Sequence, residues 1–324
     1  MTAKPRALII INPIAGTSGK TGVDSYLSRR LAEHGWEVET RFTRGRGDAT
    51  SFARVAVDAD FDAVIAAGGD GTVNETARAL RGTAMPIGII PLGSGNGLAR
   101  HLGIPVDVEP AVNVVLERNV VDADFGTVND EPFFCTFGLG FDAAVSETFS
   151  RQHRRGRLMY LKSAISEYVK YHPEVYTISA NGKLLTEKAF LIAVCNASQY
   201  GNNAYIAPTA SITDGLLDIT IVHAGSPLDT AFVGFDLFTG AINSNTMIRT
   251  FRVPSAVIYR SGAGAAHIDG EPVTMPEAMA VKCHHNALRL FAPARTVEFK
   301  PVITPMENMI RDLTTAFHRL FWRP

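Results

Sequence analysis

The sequence predicts an α/β protein in two parts: a mostly parallel sheet covered by helices, then a strand-rich half of antiparallel character. Three observations carry this. Over the first 120 residues, short apolar runs alternate with stretches of helical period, the signature of successive βα units. The runs at 7–11 and 63–67 show no polar alternation, as strands buried on both faces do. Beyond about residue 120, short strand-like segments follow one another between turn residues. A chain of 324 residues is long enough for two domains. They are expected at 1–120 and 121–299.

The elements follow in order. Residues 7–11 form the first strand, and Val23, Tyr26, Leu27 and Leu31 set a helix over 20–34. Residues 36–43 alternate like a strand and 49–57 read as a helix. A buried strand at 63–67 ends at Gly68-Gly69, a helix covers 72–80, and 86–91 is a fourth strand. In the second half, strands are expected at 121–125, 127–128, 132–138, 176–180, 188–195, 217–222, 253–260 and 280–282. Asn181-Gly182 is a hairpin turn between 176–180 and 183–185. Helices are expected over 157–170 and 227–240, the latter opened by Ser226-Pro227, a cap followed by proline at the first helical position. The tail 306–322 spaces Met306, Met309, Ile310, Leu313, Phe317, Leu320 and Phe321 as an amphipathic helix. One reading packs that helix on its own domain. The other makes it an interfacial membrane anchor with Arg319, Trp322 and Arg323.

Composition excludes several classes. With 46% hydrophobic and 19% charged residues the chain is not disordered. A net charge of −1 excludes nucleic-acid binding driven by bulk charge, so any anion site must be local. Cys135, Cys195 and Cys283 form no CxxC pair, which argues against a disulfide framework or zinc knuckle and fits a reducing cytoplasm. The apolar stretch 7–11 is too short for a signal segment, and no run reaches the roughly 18 apolar residues of a membrane span. Surface attachment stays open. The basic run from Arg151 to Arg157 is either a solvated loop or an attraction to anionic lipid, at about 1 kcal/mol per basic residue.

The chemistry is concentrated in glycine-rich junctions. Gly68-Gly69-Asp70-Gly71-Thr72-Val73-Asn74-Glu75 follows a buried strand and precedes a helix. Glycines there let backbone N–H groups approach an anion, and the helix N-terminus points its dipole at the same place. Thr72 and Glu75 have the spacing of a capping box. Asp70 remains, as a magnesium ligand or as the group that polarises a hydroxyl. Pro91-Leu92-Gly93-Ser94-Gly95-Asn96-Gly97-Leu98-Ala99-Arg100 is a second such junction, with Ser94 able to donate to phosphate. It lacks the GxGxxG spacing of a dinucleotide fingerprint. Asn12-Pro13-Ile14-Ala15-Gly16 follows the first strand as a turn that could sit near phosphates; Gly19-Lys20-Thr21 imitates a P-loop, but Ile14 stands where that motif needs glycine. Downstream, His267-Ile268-Asp269-Gly270-Glu271 places a candidate general base beside an Asp-Gly turn. Ser211-Ile212-Thr213-Asp214-Gly215-Leu216 is either a turn or an oxygen-rich loop for a hard cation.

Together the turn at 12–16, GGDGTVNE at 68–75, PLGSGNGLAR at 91–100, GLGFDA at 138–143, the Asp214–Asp218 segment and DGE at 269–271 resemble the diacylglycerol kinase catalytic family, which includes sphingosine and ceramide kinases. The resemblance covers nearly the whole chain. GGDG is also shared with NAD kinases and 6-phosphofructokinases. The resemblance implies an ATP-dependent kinase acting on a lipid hydroxyl, with an N-terminal nucleotide domain like those of 6-phosphofructokinase and NAD kinase. It implies a C-terminal β-sandwich-like domain for the lipid, an active site in the cleft, and a chain end, 300–324, that returns to the first domain. By carry-over Asn12, Pro13, Ala15, Gly16, Thr43, Gly68, Gly69, Asp70, Gly71, Thr72, Asn74, Glu75, Ser94, Gly95 and Asn96 form the ATP site. Glu271 is the proton acceptor, while Asp70 is either a magnesium-network residue or the base. Asp214, with backbone oxygens of Ser211 and Leu216, holds a structural Mg2+. The GSGNGLA run leans toward the sphingosine and ceramide kinase style. The implied partners are a lipid substrate, of the diacylglycerol or sphingoid-base kind, and a membrane surface touched peripherally from the cytoplasm; a homodimer is allowed. Two alternatives are a soluble-substrate kinase of the NAD kinase type and a nucleotide-binding regulator without turnover. Against the regulator stand Asp70, Asp269 and Glu271, more carboxylates than a pure triphosphate binder needs.

Overall fold

The structure, a computed structural model, describes residues 4–16, 22–150, 171–294 and 298–321. Lys20, the basic run 151–157, the helix expected over 157–170, and Trp322 with Arg323 lie outside the described residues, as do the side chains of 317–321. The chain divides into two compact units, Met1–Ala123 with Asn286–Glu298 and Glu307–Pro324, and Asp124–His285 with Phe299–Met306.

The first unit is built on strands β1 (Arg6–Ile11), β2 (Glu37–Phe42), β3 (Ala63–Gly68) and β4 (Ile87–Pro91). They pair in the order β4-β3-β1-β2, all parallel. Every residue of β3 and β4 is buried, as is β1 from Ala7 onward, which explains their unbroken apolar character. Each fully buried Leu, Ile or Val there contributes about 1.5–3 kcal/mol. Helices α1 (Val23–Glu33), α2 (Asp48–Asp58), α3 (Asp70–Leu80), α4 (Gly97–His101) and α5 (Val108–Leu116) complete the unit. The chain moves one way from β1 to β2 and the other way from β2 past β1 to β3 and β4. Right-handed crossovers therefore put α1 on one face and α2 and α3 on the other. The packing agrees: α2 lies against α3, and α1 against α5.

One sequence expectation shifts here, and one helix stands where none was expected. The third helix begins at Asp70, not Thr72, so Asp70 and Gly71 belong to its first turn. Helix α5 carries four β-branched valines in nine residues, which lowers its helical signal; packing on β4 and α1 overrides that weak propensity.

The second unit contains β5 (Val120–Val128), β6 (Glu131–Phe133), β7 (Thr136–Gly140), β8 (Glu174–Ala180), β9 (Lys183–Cys195), β10 (Leu217–His223), β11 (Ile248–Val253), β12 (Ser255–Tyr259), β13 (Gly264–Ile268), β14 (Glu271–Met275) and β15 (Ala278–Phe291). Its pairs are antiparallel, running β14-β13-β7-β9-β8-β12-β15, with β10 joined to β9 and β11. Phe133, Phe137, Tyr176, Ile219 and Ile258 form part of its core. The first residues of β5 and the last of β15 count with the first unit, where Leu290 pairs in parallel with Ile87.

Some strand boundaries differ from those read in the sequence. Segments 121–125 and 127–128 are one strand, and 183–185 and 188–195 are another. The expected strand 132–138 is broken at Phe134-Cys135, whose N–H groups turn to a carboxylate instead of a ladder. The strand expected at 253–260 divides at Pro254, which has no N–H to pair.

Helices α6 (Phe141–Ser150), α7 (Pro227–Thr239) and α8 (Ile303–Phe321) follow. Ser226 caps α7 in a reciprocal box with Asp229, with Pro227 at its first position and Gly240 (φ 69°) ending it. Helix α8 reverses the usual logic. Its polar side is docked: Asp312 pairs with Arg100 at 2.9 Å, and the Thr315 hydroxyl donates to Asp107 at 2.8 Å. Met306, Met309, Ile310 and Leu313 are instead 51–63% exposed. The helix is held to the first unit, as one of the two readings expects, but through polar positions, while these four apolar residues are left exposed.

Candidate nucleotide and phosphoryl-transfer site

Parallel pairing brings four chain segments to one edge of the first sheet. Ile11 is in register with Phe42 and with Ala67, and Gly68 with Pro91. The residues that leave those strands are stitched together. Asn12 N–H donates to Ala67 O (3.0 Å), Thr43 N–H to Ile11 O (2.9 Å) and Leu92 N–H to Gly68 O (2.7 Å). Asn12–Gly16, Thr43, Gly68–Glu75 and the Ser94 loop therefore emerge side by side. The strand order reverses between β1 and β3, and the crevice at the carboxyl ends of such a pair is where open α/β sheets bind ligands. Asn12 also closes its own turn, its Oδ1 accepting from Ile14 N–H at 3.1 Å.

The two glycine-rich junctions are packed against each other. A Cβ on Gly93 would lie 2.6 Å from Gly69 Cα, and one on Gly95 would lie 2.7 Å from Asp70 Oδ2. Gly71 is different: it is exposed, and a Cβ there meets nothing within 4 Å. The Asp70 carboxylate joins the loops, accepting Asn96 N–H at 2.8 Å on Oδ2 and Gly97 N–H at 2.7 Å on Oδ1. Asn96 sits at φ 53° and bonds Gly93 through both ends of its amide, at 3.0 and 2.9 Å. Arg100 Nε donates to Gly95 O at 3.1 Å. Ser94 is exposed at the tip. The N-cap of α3 is Gly69, which has no side chain to cap it, so the first-turn amides and the positive dipole end face the edge.

The expected capping box of Thr72 with Glu75 does not form. The helix starts at Asp70, so Thr72 is already inside it and packs on Gly68, and its carbonyl receives the Thr76 hydroxyl. Glu75 instead caps α2, accepting Gly47 N–H at 2.8 Å and Ala49 N–H at 3.2 Å. Asn74 is half-buried on the same turn.

In the second unit, Asp269 (φ 50°) and Gly270 (φ 81°) make the tight turn between β13 and β14 that sets Glu271, exposed, at the start of β14. Asp269 is more than a turn residue. Its carboxylate accepts three consecutive N–H groups, Phe134 (2.9 Å), Cys135 (2.7 Å) and Thr136 (2.9 Å). Behind the turn the buried His267 lies 3.1 Å from Asp142, which also accepts the Tyr200 hydroxyl at 2.9 Å. His267 and Asp142 stand within motifs of the sequence without an expected role there, and Tyr200 stands in none. Residues 125 and 58 positions apart leave no local signal.

The loop 211–216 turns as expected, with Asp214 Oδ1 accepting Leu216 N–H at 3.1 Å. Asp124 holds it from beneath, taking Gly215 N–H at 2.6 Å and facing His285 Nδ1 at 2.8 Å. Burial raises the pKa of the neighbouring Asp218, opposed by its bond to Arg252. Among the described residues no group of three or more His, Cys, Asp or Glu could hold a metal. The groups expected there would offer only oxygen, the Asp214 carboxylate plus backbone carbonyls, and Asp214 Oδ2 also lies 3.8 Å from an Arg252 nitrogen. Such an oxygen set fits a hard cation such as Mg2+, which keeps several waters and seldom needs an all-protein cage.

The chain thus follows a parallel α/β unit, glycine-rich at one sheet edge, with an antiparallel unit carrying an Asp-Gly-Glu turn. Residues 6–128 match the diacylglycerol kinase catalytic domain, and 136–292 match the YegS C-terminal NAD kinase beta sandwich-like domain. A diacylglycerol kinase of Mycobacterium tuberculosis is 29% identical over 84% of this chain and 93% of its own length. A YegS-like lipid kinase of Pectobacterium atrosepticum is 30% identical over 85% and 92%. A diacylglycerol kinase of Bacillus subtilis is 32% identical over 67% and 73%. A solved Bacillus anthracis structure of the diacylglycerol kinase type shares the fold at a TM-score of 0.77, with 23% identity over 92% of this chain and 98% of that one. This chain belongs to the diacylglycerol kinase family, and it is a phosphotransferase with an alcohol group as acceptor.

Proposed function

We propose that the protein transfers the γ-phosphoryl group of ATP to the hydroxyl of a lipid (diacylglycerol, a sphingoid base or a related alcohol) with Mg2+ as the counter-ion. The observation that carries this reading is the meeting of Asn12, the open N-terminus of α3 and the Ser94 loop at the β1/β3 switch point. In this reading Gly69, Asp70 and Gly71 present first-turn amides to phosphate. Ser94 adds a hydroxyl, and Asn12, Pro13, Ala15, Gly16 and Thr43 frame the remainder of the nucleotide. Thr72, Glu75 and Asn96 support the loops from behind, as their internal bonds indicate.

Phosphoryl transfer asks little covalent chemistry of a protein, so positioning and charge stabilisation do most of the catalysis. The lipid oxygen attacks phosphorus, the bond to the bridging oxygen breaks, ADP leaves, and the hydroxyl proton passes to the Glu271 carboxylate. Mg2+ neutralises charge on the phosphate oxygens when bound. Asp70 would help hold it, since each of its oxygens keeps a lone pair beyond the N–H it accepts. Asp214, with the carbonyls of Ser211 and Leu216, would hold a second, structural ion.

Two exposed faces support contact with a lipid surface. Helix α7 presents Leu228, Phe232, Phe235 and Phe238, and α8 presents Met306, Met309, Ile310 and Leu313. No described helix is long and apolar enough to cross a membrane, so these faces would lie in the interface.

The test is transfer of label from ATP, with Mg2+, to diacylglycerol, sphingoid base, ceramide and polyprenol in mixed micelles, alongside NAD in water. Label in the organic phase is the expected result. Label on NAD would establish the soluble-substrate reading, and tight ATP binding without transfer would establish the regulator. Glu271→Gln is expected to lower kcat at least a hundredfold with the melting temperature unchanged. Full turnover in that variant would move the proton acceptor to Asp70.

A further inference from the structure

The turn that carries Glu271 is held from two sides. On one side Asp269 takes the three amides of 134–136, and its own N–H returns to Thr136 O at 2.8 Å. On the other side Gly270 N–H donates to His267 Nδ1 at 3.3 Å. That bond decides the state of the imidazole. A backbone N–H can only donate, so Nδ1 is the acceptor and the ring proton sits on Nε2. Nε2–H then donates to Asp142 Oδ2 at 3.1 Å. Asp142 is itself oriented, Oδ1 accepting Ala143 N–H at 2.8 Å in the first turn of α6 and Oδ2 accepting the Tyr200 hydroxyl at 2.9 Å. His267 is 1% exposed and the Tyr200 ring meets it edge-on at 5.9 Å.

Space has been cleared for this assembly. A Cβ on Gly138 would lie 2.1 Å from His267 Nε2 and 2.3 Å from Asp142 Oδ2, so only glycine admits the pair. Burying a His–Asp pair costs more than burying two aliphatic side chains of the same volume. A turn that needed only to reverse the chain would be complete with Asp269-Gly270. The additional chain Tyr200–Asp142–His267–Gly270 ends one residue from Glu271.

We propose that His267 is a positioning residue for Glu271: it holds the Gly270 peptide, and so the Glu271 backbone, in one orientation through a tautomer that Asp142 and Tyr200 select. The proposal rests on the reading of Glu271 as proton acceptor and adds the device that aims it. A carboxylate that must meet a hydroxyl proton within hydrogen-bond reach gains from a backbone that cannot swing.

Two substitutions separate the two bonds of the ring. His267→Asn can keep an acceptor near the Nδ1 position, and His267→Gln can keep a donor near Nε2. In the lipid-phosphorylation assay on the full chain, His267→Gln is expected to lower kcat at least tenfold with KM for ATP within twofold, and His267→Asn to recover most of that loss. A kcat within twofold of the parent in His267→Gln, or an equal loss in both variants, would overturn the proposal. Should the His267 variants fail to fold, Tyr200→Phe removes one hydroxyl without changing shape and is expected to lower kcat threefold or more; unchanged kcat there overturns it as well. Glu271→Gln is assayed beside them. If it turns over normally, the proton-acceptor reading fails on its own account, whatever the His267 variants do.

Discussion

Asp70 and Gly97, in different loops and 27 residues apart, are joined by a 2.7 Å hydrogen bond from the Gly97 N–H to the Asp70 carboxylate. With the matching bond from Asn96, this makes the acid of the first glycine loop the brace of the second. Asp70→Ala leaves two N–H groups without their acceptor, at a cost of about 1–3 kcal/mol. For a chain of this size that lowers the melting temperature by roughly 1.5–4.5 °C. Asp70→Asn keeps one acceptor oxygen, so it should melt within about 3 °C of the parent. It removes the charge, however, and kcat should fall at least tenfold, more so at low Mg2+. Thermal melts and Mg2+-titrated assays check both halves.

The glycines of the edge divide by what surrounds them. Gly93→Ala forces a methyl to within 2.6 Å of the Gly69 backbone, which cannot yield without parting the loops. It should both destabilise the protein by about 1–3 kcal/mol and weaken ATP binding at least tenfold. Gly71→Ala has open space around it and lies in a helix, where alanine is favoured by about 0.5–1 kcal/mol. Its melting temperature should hold or rise while, on the proposed reading, ATP binding weakens, because the methyl would stand where the first-turn amides are to meet phosphate. Calorimetric melts set beside ATP titrations distinguish these outcomes, and equal ATP affinity in Gly71→Ala would take that turn out of the binding site.

The apolar stripe of α8 has a direct consequence for surface binding. Ile310→Glu with Leu313→Glu changes two exposed side chains on the side opposite the Arg100–Asp312 pair, so folding should be unaffected. Flotation with vesicles of phosphatidylcholine and phosphatidylglycerol should show the parent chain bound and the variant at least fivefold less so. Activity in detergent micelles should be preserved. If sedimentation shows that the same substitutions dissociate a dimer and leave flotation unchanged, the stripe serves self-association.

Acid sensitivity follows from His101, at the end of α4, where burial holds the imidazole pKa down to about 4. The unfolded chain takes a proton near pH 6.5, which the folded chain refuses until about pH 4. The contribution to stability is therefore complete above pH 6.5 and is lost as the pH falls to 4. His101 is half-buried, so its contribution stays below the roughly 3 kcal/mol that such a shift would carry in a fully buried ring. His101→Gln should flatten the decline in denaturant midpoint between pH 7 and pH 4.5, which chemical denaturation at a series of pH values will show.

Much of this was legible because it is local. Buried parallel strands announce themselves as unbroken apolar runs, and the glycine junctions at 68–71 and 93–97 mark strand-to-helix turns by residue type alone. Ser226-Pro227 states a helix start in two residues, and the structure places the start there. What could not be read concerns partners distant in the chain. Glu75 has the spacing of a capping box with Thr72, yet it caps α2, because folding brings Gly47 and Ala49 within reach. Helix α8 has an unmistakable apolar stripe, but its orientation depends on Arg100 and Asp107, some 200 residues earlier.

The amino-acid sequence by itself determined the α/β class, the positions of the glycine junctions and the presence of an acidic turn at 269–271, since each depends on residues within a few positions of one another. The tertiary structure alone decided that Asp70 braces a second loop, that Asp269 gathers three amides and that His267 stands behind Glu271. Hydrogen bonds between side chains and remote backbone are made only after the strands have set their register, and no local periodicity encodes them.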